Sequence, residues 1–333
     1  MPEWQLAAII THLELGGAQL ATLTQIEKSR FFDGPRTLLA GRGGRLDERA
    51  HRIENVSYLP VKDLRREISP RHDSRALAQQ IACLRSLRDA SDARLLVHTH
   101  SPKAGVLGRI AARWVGADAV VHSVHGFGHG SEKGRGRFGP VLQWVERLSG
   151  RLADGYTTDS ESNRRQGHRE RLFSRRPVEV VHCGYDPDVF RYDPVARTSI
   201  RRELSVGDDS PLIVTLANFK EQKDPLTFVR IAARVLERHS EAVFAYAGDG
   251  PLRPQVEQEL ARFRITDRVR LLGWRDDPAR LLSAAEVFVL TSRWEGLPQS
   301  FGQAMAVGLP IVATAVDGAP EAVAHGETGF LHA

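Results

Sequence analysis

Two cysteines and two methionines are all the sulfur that this 333-residue sequence holds. Cys83 and Cys183 cannot build a disulfide framework, and so sparse a supply fits a reducing, cytoplasmic setting. No apolar run reaches the roughly 18 residues that a membrane-spanning helix needs. The opening stretch Trp4–Ile10 has no basic leader and no small-residue cleavage site, so it reads as a first strand and not as a signal peptide. Aromatic residues are scarce, at 7%, and are not interleaved with the basic ones. With no known nucleic-acid module in view, no nucleic-acid partner is expected. No repeat of fixed period and no low-complexity segment occurs.

What is present points to a globular α/β chain. Hydrophobic residues make up 41% and charged residues 26%. The length exceeds one ordinary core and predicts two domains. Short apolar runs at Leu6–Ile10, Thr37–Ala40, Val56–Pro60, Leu95–His98, Ala119–Val124 and Val178–His182 alternate with amphipathic segments such as Ala18–Arg30, Ser74–Asp89 and Lys103–Val115. That alternation predicts βαβ units around a parallel sheet. A polar stretch, Arg191–Ser210, reads as a linker with a short helix, after which the alternation restarts with strands at Leu212–Leu216, Val243–Ala247, Val269–Leu272, Val287–Leu290 and Ile311–Ala313. The expected architecture is two Rossmann-like doubly wound domains, residues 1–190 and 191–333, facing a cleft at their strand C-terminal ends.

The net charge is +5, and it is uneven: residues 131–176 hold 11 Lys/Arg against 6 Asp/Glu. Lys133–Arg151 adds Phe138, Val141, Leu142, Trp144 and Val145 to its cations. This composition suits peripheral contact with an anionic membrane at its inner face, with a solvated helix face as the plainer alternative.

The loop Leu13–Ala18 joins a strand to a helix, and Gly16-Gly17 would let a phosphate approach backbone N–H groups there. Gly134–Gly139 spells G-x-G-x-x-G, but it follows polar Ser131-Glu132-Lys133 and not a strand, so it is no dinucleotide fingerprint. His98, His100, His122, His125 and His129 raise the question of zinc. His98 and His100 would share a strand face, yet no Cys or carboxylate lies at ligand spacing nearby, and no metal is assigned. Asp186-Pro187-Asp188 reads as a turn and not as a metal-holding carboxylate pair. In the second half, Asn218, Lys220 and Lys223 occupy a strand-end turn suited to a diphosphate. Gly248-Asp249-Gly250 makes a tight turn. Glu295 precedes a helix starting near Gln299, whose amides can hold phosphate or sugar oxygens, while Gln303 is placed to face the same cleft.

These residues, in this order and over nearly the whole chain, resemble the family 4 glycosyltransferases of the GT-B fold. The similarity rests on the Gly-Gly loop, His98–Gly105, Val124-His125-Gly126, the Lys220/Lys223 loop, Gly248–Leu252, Glu295-Gly296-Leu297-Pro298 and Gly308–Ala313. It implies a retaining transfer of a hexose-type sugar, with no metal and no other cofactor, from a nucleotide-sugar donor to a glycan or polyprenyl-linked acceptor in surface polysaccharide synthesis. It further implies that Lys223, with Asn218 or Lys220, holds the diphosphate. Glu295, Gly296 and Leu297 would orient the sugar, Gln299 and Ser300 would add phosphate contacts, and position 303 would bind the ribose. Gly16 and Gly17 would face the phosphates, His125 would sit by the reaction centre, and the base would lie near Gly273 and Trp274. The alternatives are an epimerase of the same fold and a degenerate sugar-nucleotide-binding protein.

Three features depart from the family. Gln303 stands where a second Glu is usual, Asn218 where Arg is usual, and the sequence stops at Ala333, where the family continues with closing helices. The last predicts a shortened second domain.

Overall fold

Along Leu6–Ile10 nearly every side chain is buried, and neighbours point into different cores. Ala7 and Ile9 pack with Leu39, Val97 and Val120, whereas Leu6, Ala8 and Ile10 pack with Leu23, Leu38 and Ala40. A strand's period of two delivers alternate residues to opposite faces, so an apolar run without alternation marks a strand covered by helices on both sides. This is the reason the apolar runs become the central strands of a parallel sheet. The computed structural model describes residues 3–29, 34–127 and 139–333. The G-x-G-x-x-G stretch up to Phe138 and His129 lie outside them.

The chain divides into two units, Met1–Cys183 and Gly184–Ala333. The first contains β1 (Trp4–His12), α1 (Gly17–Lys28), β2 (Arg36–Gly41), α2 (Asp47–Arg52), β3 (Val56–Pro60), α3 (Pro70–Asp89), β4 (Arg94–His100), α4 (Pro102–Trp114), β5 (Ala119–Val124), α5 (Gly139–Gly150), β6 (Gly155–Thr158), α6 (Glu161–Arg169) and β7 (Val178–Val180). Its seven strands are parallel, in the order β3-β2-β1-β4-β5-β6-β7.

The second contains α7 (Pro194–Glu203), β8 (Leu212–Leu216), α8 (Pro225–Leu236), β9 (Val243–Ala247), α9 (Arg253–Phe263), β10 (Val269–Gly273), α10 (Pro278–Ala284), β11 (Val287–Leu290), α11 (Gln299–Ala306), β12 (Ile311–Thr314), α12 (Ala319–Ala322) and β13 (Gly329–His332). Its six parallel strands run β10-β9-β8-β11-β12-β13. Both sheets therefore reverse strand order once, between β1 and β4 and between β8 and β11. In open α/β sheets the crevice for a ligand forms at the C-terminal ends of the strands on either side of such a switch. Both units are Rossmann-like and doubly wound.

The polar stretch expected to be a linker with a short helix is anchored to the second unit. Asp193 caps α7 by accepting from the Val195 and Ala196 amides at 2.8 and 3.0 Å. Arg201, 3% exposed, donates to the Ala284 carbonyl at 3.0 Å and the Ser210 carbonyl at 2.6 Å, and it pairs with Glu286 at 3.2 Å. Glu286 also accepts from the Leu212 amide at 2.7 Å. Glu286→Ala would leave the buried Arg201 guanidinium with carbonyl partners but without this counter-charge, and would strand the Leu212 amide. The expected cost is about 3 kcal/mol, read as a lower urea midpoint at unchanged slope.

Candidate functional site

The loops leaving β8 and β11 meet beside the second unit's switch point. After β8 the chain runs through Ala217–Lys220 into a single 3-10 turn, Glu221–Lys223, and Asp224 then opens α8. The Ala217 amide donates to the Ala247 carbonyl, and the Phe219 amide to the Asp249 carbonyl, each at 3.0 Å. The glycines of Gly248-Asp249-Gly250 permit this contact. A Cβ on Gly248, at φ +147, would lie 1.8 Å from the Ala217 carbonyl oxygen, and one on Gly250, at φ +158, would lie 2.7 Å from that of Phe219. The lysine loop therefore rests on a backbone surface that no other residue type allows.

The β11 exit loop is tied to the lysine loop at several points. The Thr291 hydroxyl donates to the Lys223 and Asp224 carbonyls at 3.1 and 3.0 Å. The Arg293 amide donates to the Gln222 carbonyl at 2.8 Å, and the Gln222 side-chain amide donates to the Trp294 carbonyl at 3.1 Å. Within this lacing Glu295 is 7% exposed. Its Oε1 accepts from the Lys223 ammonium and, at 2.5 Å, from the Ser292 hydroxyl, whose own carbonyl is held by Thr314 Oγ1 at 2.5 Å. A buried carboxylate is stable when so paired and hydrogen-bonded.

Asp317 completes the arrangement from the loop after β12. Its Oδ2 accepts the Glu295 backbone N–H at 2.7 Å. Partial burial of its carboxyl, and the Glu295 charge nearby, push Asp317 above the usual carboxylate range, against the opposing pull of that hydrogen bond. Asp317 also sits at φ +44, a left-handed conformation that Asp tolerates better than most side chains. Sequence reasoning missed Asp317, because nothing local in Val316-Asp317-Gly318 relates it to a residue 22 positions earlier.

The remaining second-unit candidates belong to these loops, to α11 and to the end of β10. Gly296 and Leu297 continue the Glu295 loop, Pro298 precedes α11, and Gln299 and Ser300 form its first turn. Gln299 donates to the Gly184 carbonyl at 3.3 Å, and Gln303 is buried within α11. Lys220 and Lys223 share one turn through the Lys223 amide and Lys220 carbonyl, at 3.0 Å, and Asn218 precedes both. Gly273, at φ +64, ends β10 and accepts from the Gly248 amide at 2.7 Å. Asp186 forms the turn read from its Pro neighbour: its Oδ1 accepts the Asp188 amide at 3.0 Å.

In the first unit Gly16 precedes α1 and Gly17 opens it, just past β1, while His125 follows β5. His125 belongs to a buried chain of histidines. Its Nε2 lies 3.0 Å from His100 Nδ1, and its Nδ1 lies 3.0 Å from Asp159 Oδ2. His98 Nε2 meets the Ser123 hydroxyl at 2.7 Å, and His122 Nδ1 meets the Thr99 hydroxyl at 2.9 Å. Burial first, then His125, pushes His98 down to about 3. Burial likewise drives His100 and His122 well below the ordinary range. These three rings are neutral at physiological pH, each with one donor and one acceptor nitrogen; His100, packed against His98, is the one that backs His125.

His98 and His100 do share a strand face, with ring centroids 4.2 Å apart, but His98 spends its Nε2 on Ser123. The donors that converge are others. His125, Asp159 and Cys183 each bring one ligand atom within 4.8 Å of the other two. Sequence spacing hid this group, since its members end three different strands. Burial, and then the Asp159 charge, push the Cys183 thiol far above its usual range.

Comparison with known proteins supplies independent findings. Residues 36–189 match the sequence profile of Glycosyltransferase Family 4, and residues 210–333 that of Glycosyl transferases group 1. An Escherichia coli UDP-Gal:alpha-D-GlcNAc-diphosphoundecaprenol alpha-1,3-galactosyltransferase is 32% identical over 71% of this chain and 62% of its own length. A Mycobacterium tuberculosis GDP-mannose-dependent alpha-(1-6)-phosphatidylinositol monomannoside mannosyltransferase is 29% identical over 66% of this chain and 58% of its own. The chain thus spans less than two thirds of these relatives. Anabaena HepE in complex with UDP-glucose superposes with a TM-score of 0.80 at 18% identity, covering 98% of this chain and 85% of that one. Sucrose-phosphate synthase from Thermosynechococcus elongatus gives 0.80 at 20% identity, covering 99% and 86%.

Proposed function

We propose a function from the premise that this chain belongs to the family 4, group 1 glycosyltransferases of GT-B fold: it moves a hexose-type sugar from a nucleotide diphosphate to a lipid-linked or glycan acceptor, with retention and without a metal. The observation that carries this reading is the Lys223–Glu295 pair at the β8/β11 switch point. An ammonium has three donors, so Lys223 can keep Glu295 while turning a second N–H to a diphosphate. In the transfer, the bond between the sugar's anomeric carbon and the phosphate oxygen breaks, and negative charge grows on that phosphate. A fixed cation there lowers the barrier because its attraction is strongest in the transition state. The acceptor hydroxyl attacks from the same face, and its proton passes to the departing phosphate. Glu295, oriented by Ser292, accepts from sugar hydroxyls, with the Gly296 and Leu297 backbone beside it. Asn218 and Lys220, and the amides of Gln299 and Ser300, add phosphate contacts. Gly16 and Gly17 serve the phosphates and His125 the reaction centre. The test is transfer and donor hydrolysis by the purified chain with UDP-, GDP- and ADP-sugars; no turnover and no binding of any of them would remove this function.

The acceptor side of the reading draws on the E. coli and M. tuberculosis relatives, whose names specify a diphosphoundecaprenol-linked sugar and a phosphatidylinositol mannoside. No helix among the described residues is long and apolar enough to cross a membrane. Peripheral contact is instead proposed through α5, where Val141, Leu142, Trp144 and Leu148 are exposed, Trp144 at 61%. Arg147 and Arg151 flank them, and Lys133, Arg135 and Arg137 precede them in sequence. Trp144→Glu combined with Leu148→Glu is expected to abolish flotation with anionic vesicles while donor hydrolysis continues. Flotation of the wild type with neutral vesicles alone would refute the electrostatic part.

Gln303 enters as the ribose-binding position. A carboxylate accepts a stronger hydrogen bond from a ribose hydroxyl than an amide does, by about 1 kcal/mol. Gln303→Glu is therefore expected to tighten donor binding by roughly fivefold in titration calorimetry. Unchanged or weaker binding would reassign the ribose contact.

A further inference from the structure

We propose that His125, Asp159 and Cys183 form a site for one thiophilic divalent cation of the zinc class. The three follow adjacent parallel strands, β5, β6 and β7, so the sheet itself brings an imidazole nitrogen, a carboxylate oxygen and a sulfur to one edge. Their ligand atoms already lie within 4.8 Å of one another. Zinc bonds of about 2.0–2.3 Å in tetrahedral array require shifts of about an ångström or less, and they leave a fourth position open for water.

The surroundings are built as a metal site's outer shell is built. A ligating histidine normally gives its second nitrogen to a fixed acceptor. Here His125 Nε2 faces Nδ1 of His100, a neutral ring buried against His98. With His125 Nε2–H donating to that nitrogen, the lone pair on Nδ1 is turned to the carboxylate, an arrangement that a cation between the two satisfies. His182 Nδ1 lies 2.9 Å from the Asp159 carbonyl oxygen, and the next residue, Ser160, caps α6 by accepting from the Asn163 amide at 3.1 Å. Asp159 is thereby held by its backbone on both sides while its side chain faces the other two donors.

The donor set selects the ion. Magnesium and calcium take oxygen ligands, and a site with sulfur and nitrogen among three donors discriminates against both. On binding, the cation replaces the thiol proton: the S–H bond breaks, a sulfur–metal bond forms, and one proton leaves to solvent. The consequence for catalysis rests on the function proposed above. A cation on Nδ1 immobilises His125 and places a positive charge where that reading puts the sugar, so zinc inhibits transfer.

The experiment uses cobalt(II) as a coloured substitute on the purified, chelator-stripped chain. The expected result is one equivalent of cobalt with a sulfur-to-metal charge-transfer band and the intense visible bands of tetrahedral geometry. Cys183→Ser removes the charge-transfer band and weakens zinc binding by more than about 100-fold, beyond what an outer-shell partner is worth, whereas Cys83→Ser leaves both unchanged. Asp159→Asn weakens zinc binding and keeps the sulfur band, which covers the case in which Cys183→Ser perturbs folding. Absence of the band in the wild type, or its persistence in folded Cys183→Ser, overturns the proposal. Zinc inhibition of the wild type that is lost in Cys183→Ser supports it further. A cobalt band without any effect of zinc on transfer supports the metal site and overturns the role given to His125, so the two readings fail separately.

Discussion

Lys223→Ala is expected to lower kcat/KM for sugar transfer by about 100- to 1,000-fold, the usual worth of one preorganised charge-stabilising donor at a reacting centre. Most of the loss should fall in kcat, because the phosphate carries more charge in the transition state than in the bound donor. The substitution also leaves Glu295 as a buried carboxylate with Ser292 but no cation, so a lower thermal midpoint accompanies it. Donor added in excess restores part of that midpoint only if the pocket still binds it, which separates misfolding from lost chemistry. Lys223→Arg keeps the charge but replaces a compact ammonium with a planar fork, and it is expected to recover only a fraction of the rate. If Lys223→Ala transfers sugar within tenfold of the wild type, the diphosphate is held elsewhere.

Asp317→Gly should separate stability from activity. Glycine adopts a positive φ without penalty, so this change relieves a backbone conformation that other residues enter at a cost of about 1 kcal/mol. That relief offsets only part of the lost hydrogen bond to the Glu295 amide, so the melting temperature should fall slightly. The same change frees the Glu295 amide from its 2.7 Å bond, and with it the loop that sets Glu295 against Lys223 and Ser292. A hydrogen bond to a charged group is worth about 1.5–3 kcal/mol, which predicts a loss of about 10- to 100-fold in kcat/KM. Asp317→Asn retains both the tolerance for this backbone and a carbonyl acceptor, so it should sit close to the wild type. If glycine left kcat/KM intact, or cost stability and activity in proportion, Asp317 would be a structural residue and not a positioning one.

The regularity of the strands explains which of them the sequence announced. Val56–Pro60 and Ala119–Val124 appear with the bounds read from their apolar runs, and Leu6–Ile10 lies inside a longer strand. β6 was missed because Gly-Tyr-Thr-Thr contains no apolar run, although Tyr156 and Thr158 are buried. α6 was missed for a related reason: Glu-Ser-Asn-Arg-Arg-Gln-Gly-His-Arg is polar throughout, and only Asn163 and Gly167 are buried. Both elements are held by partners distant in sequence, β6 by β5 and β7, and Gly167 by the Phe173 ring that a Cβ there would strike. Propensity gives way to tertiary context at such places.

Sequence alone determined the two doubly wound units and marked a lysine turn and a glutamate loop, each at a strand end, as candidates. Each is written locally, in hydrophobic period, in glycine placement and in residues that succeed one another at a strand end. Only the tertiary structure decided which side chains complete those loops. Asp317 reaches Glu295 from the strand next in the sheet, Asp159 and Cys183 reach His125 from two further strands, and neutral His100 backs them. A parallel sheet collects the ends of strands that a helix or a long loop keeps far apart along the chain, so spacing in sequence carries no record of their meeting.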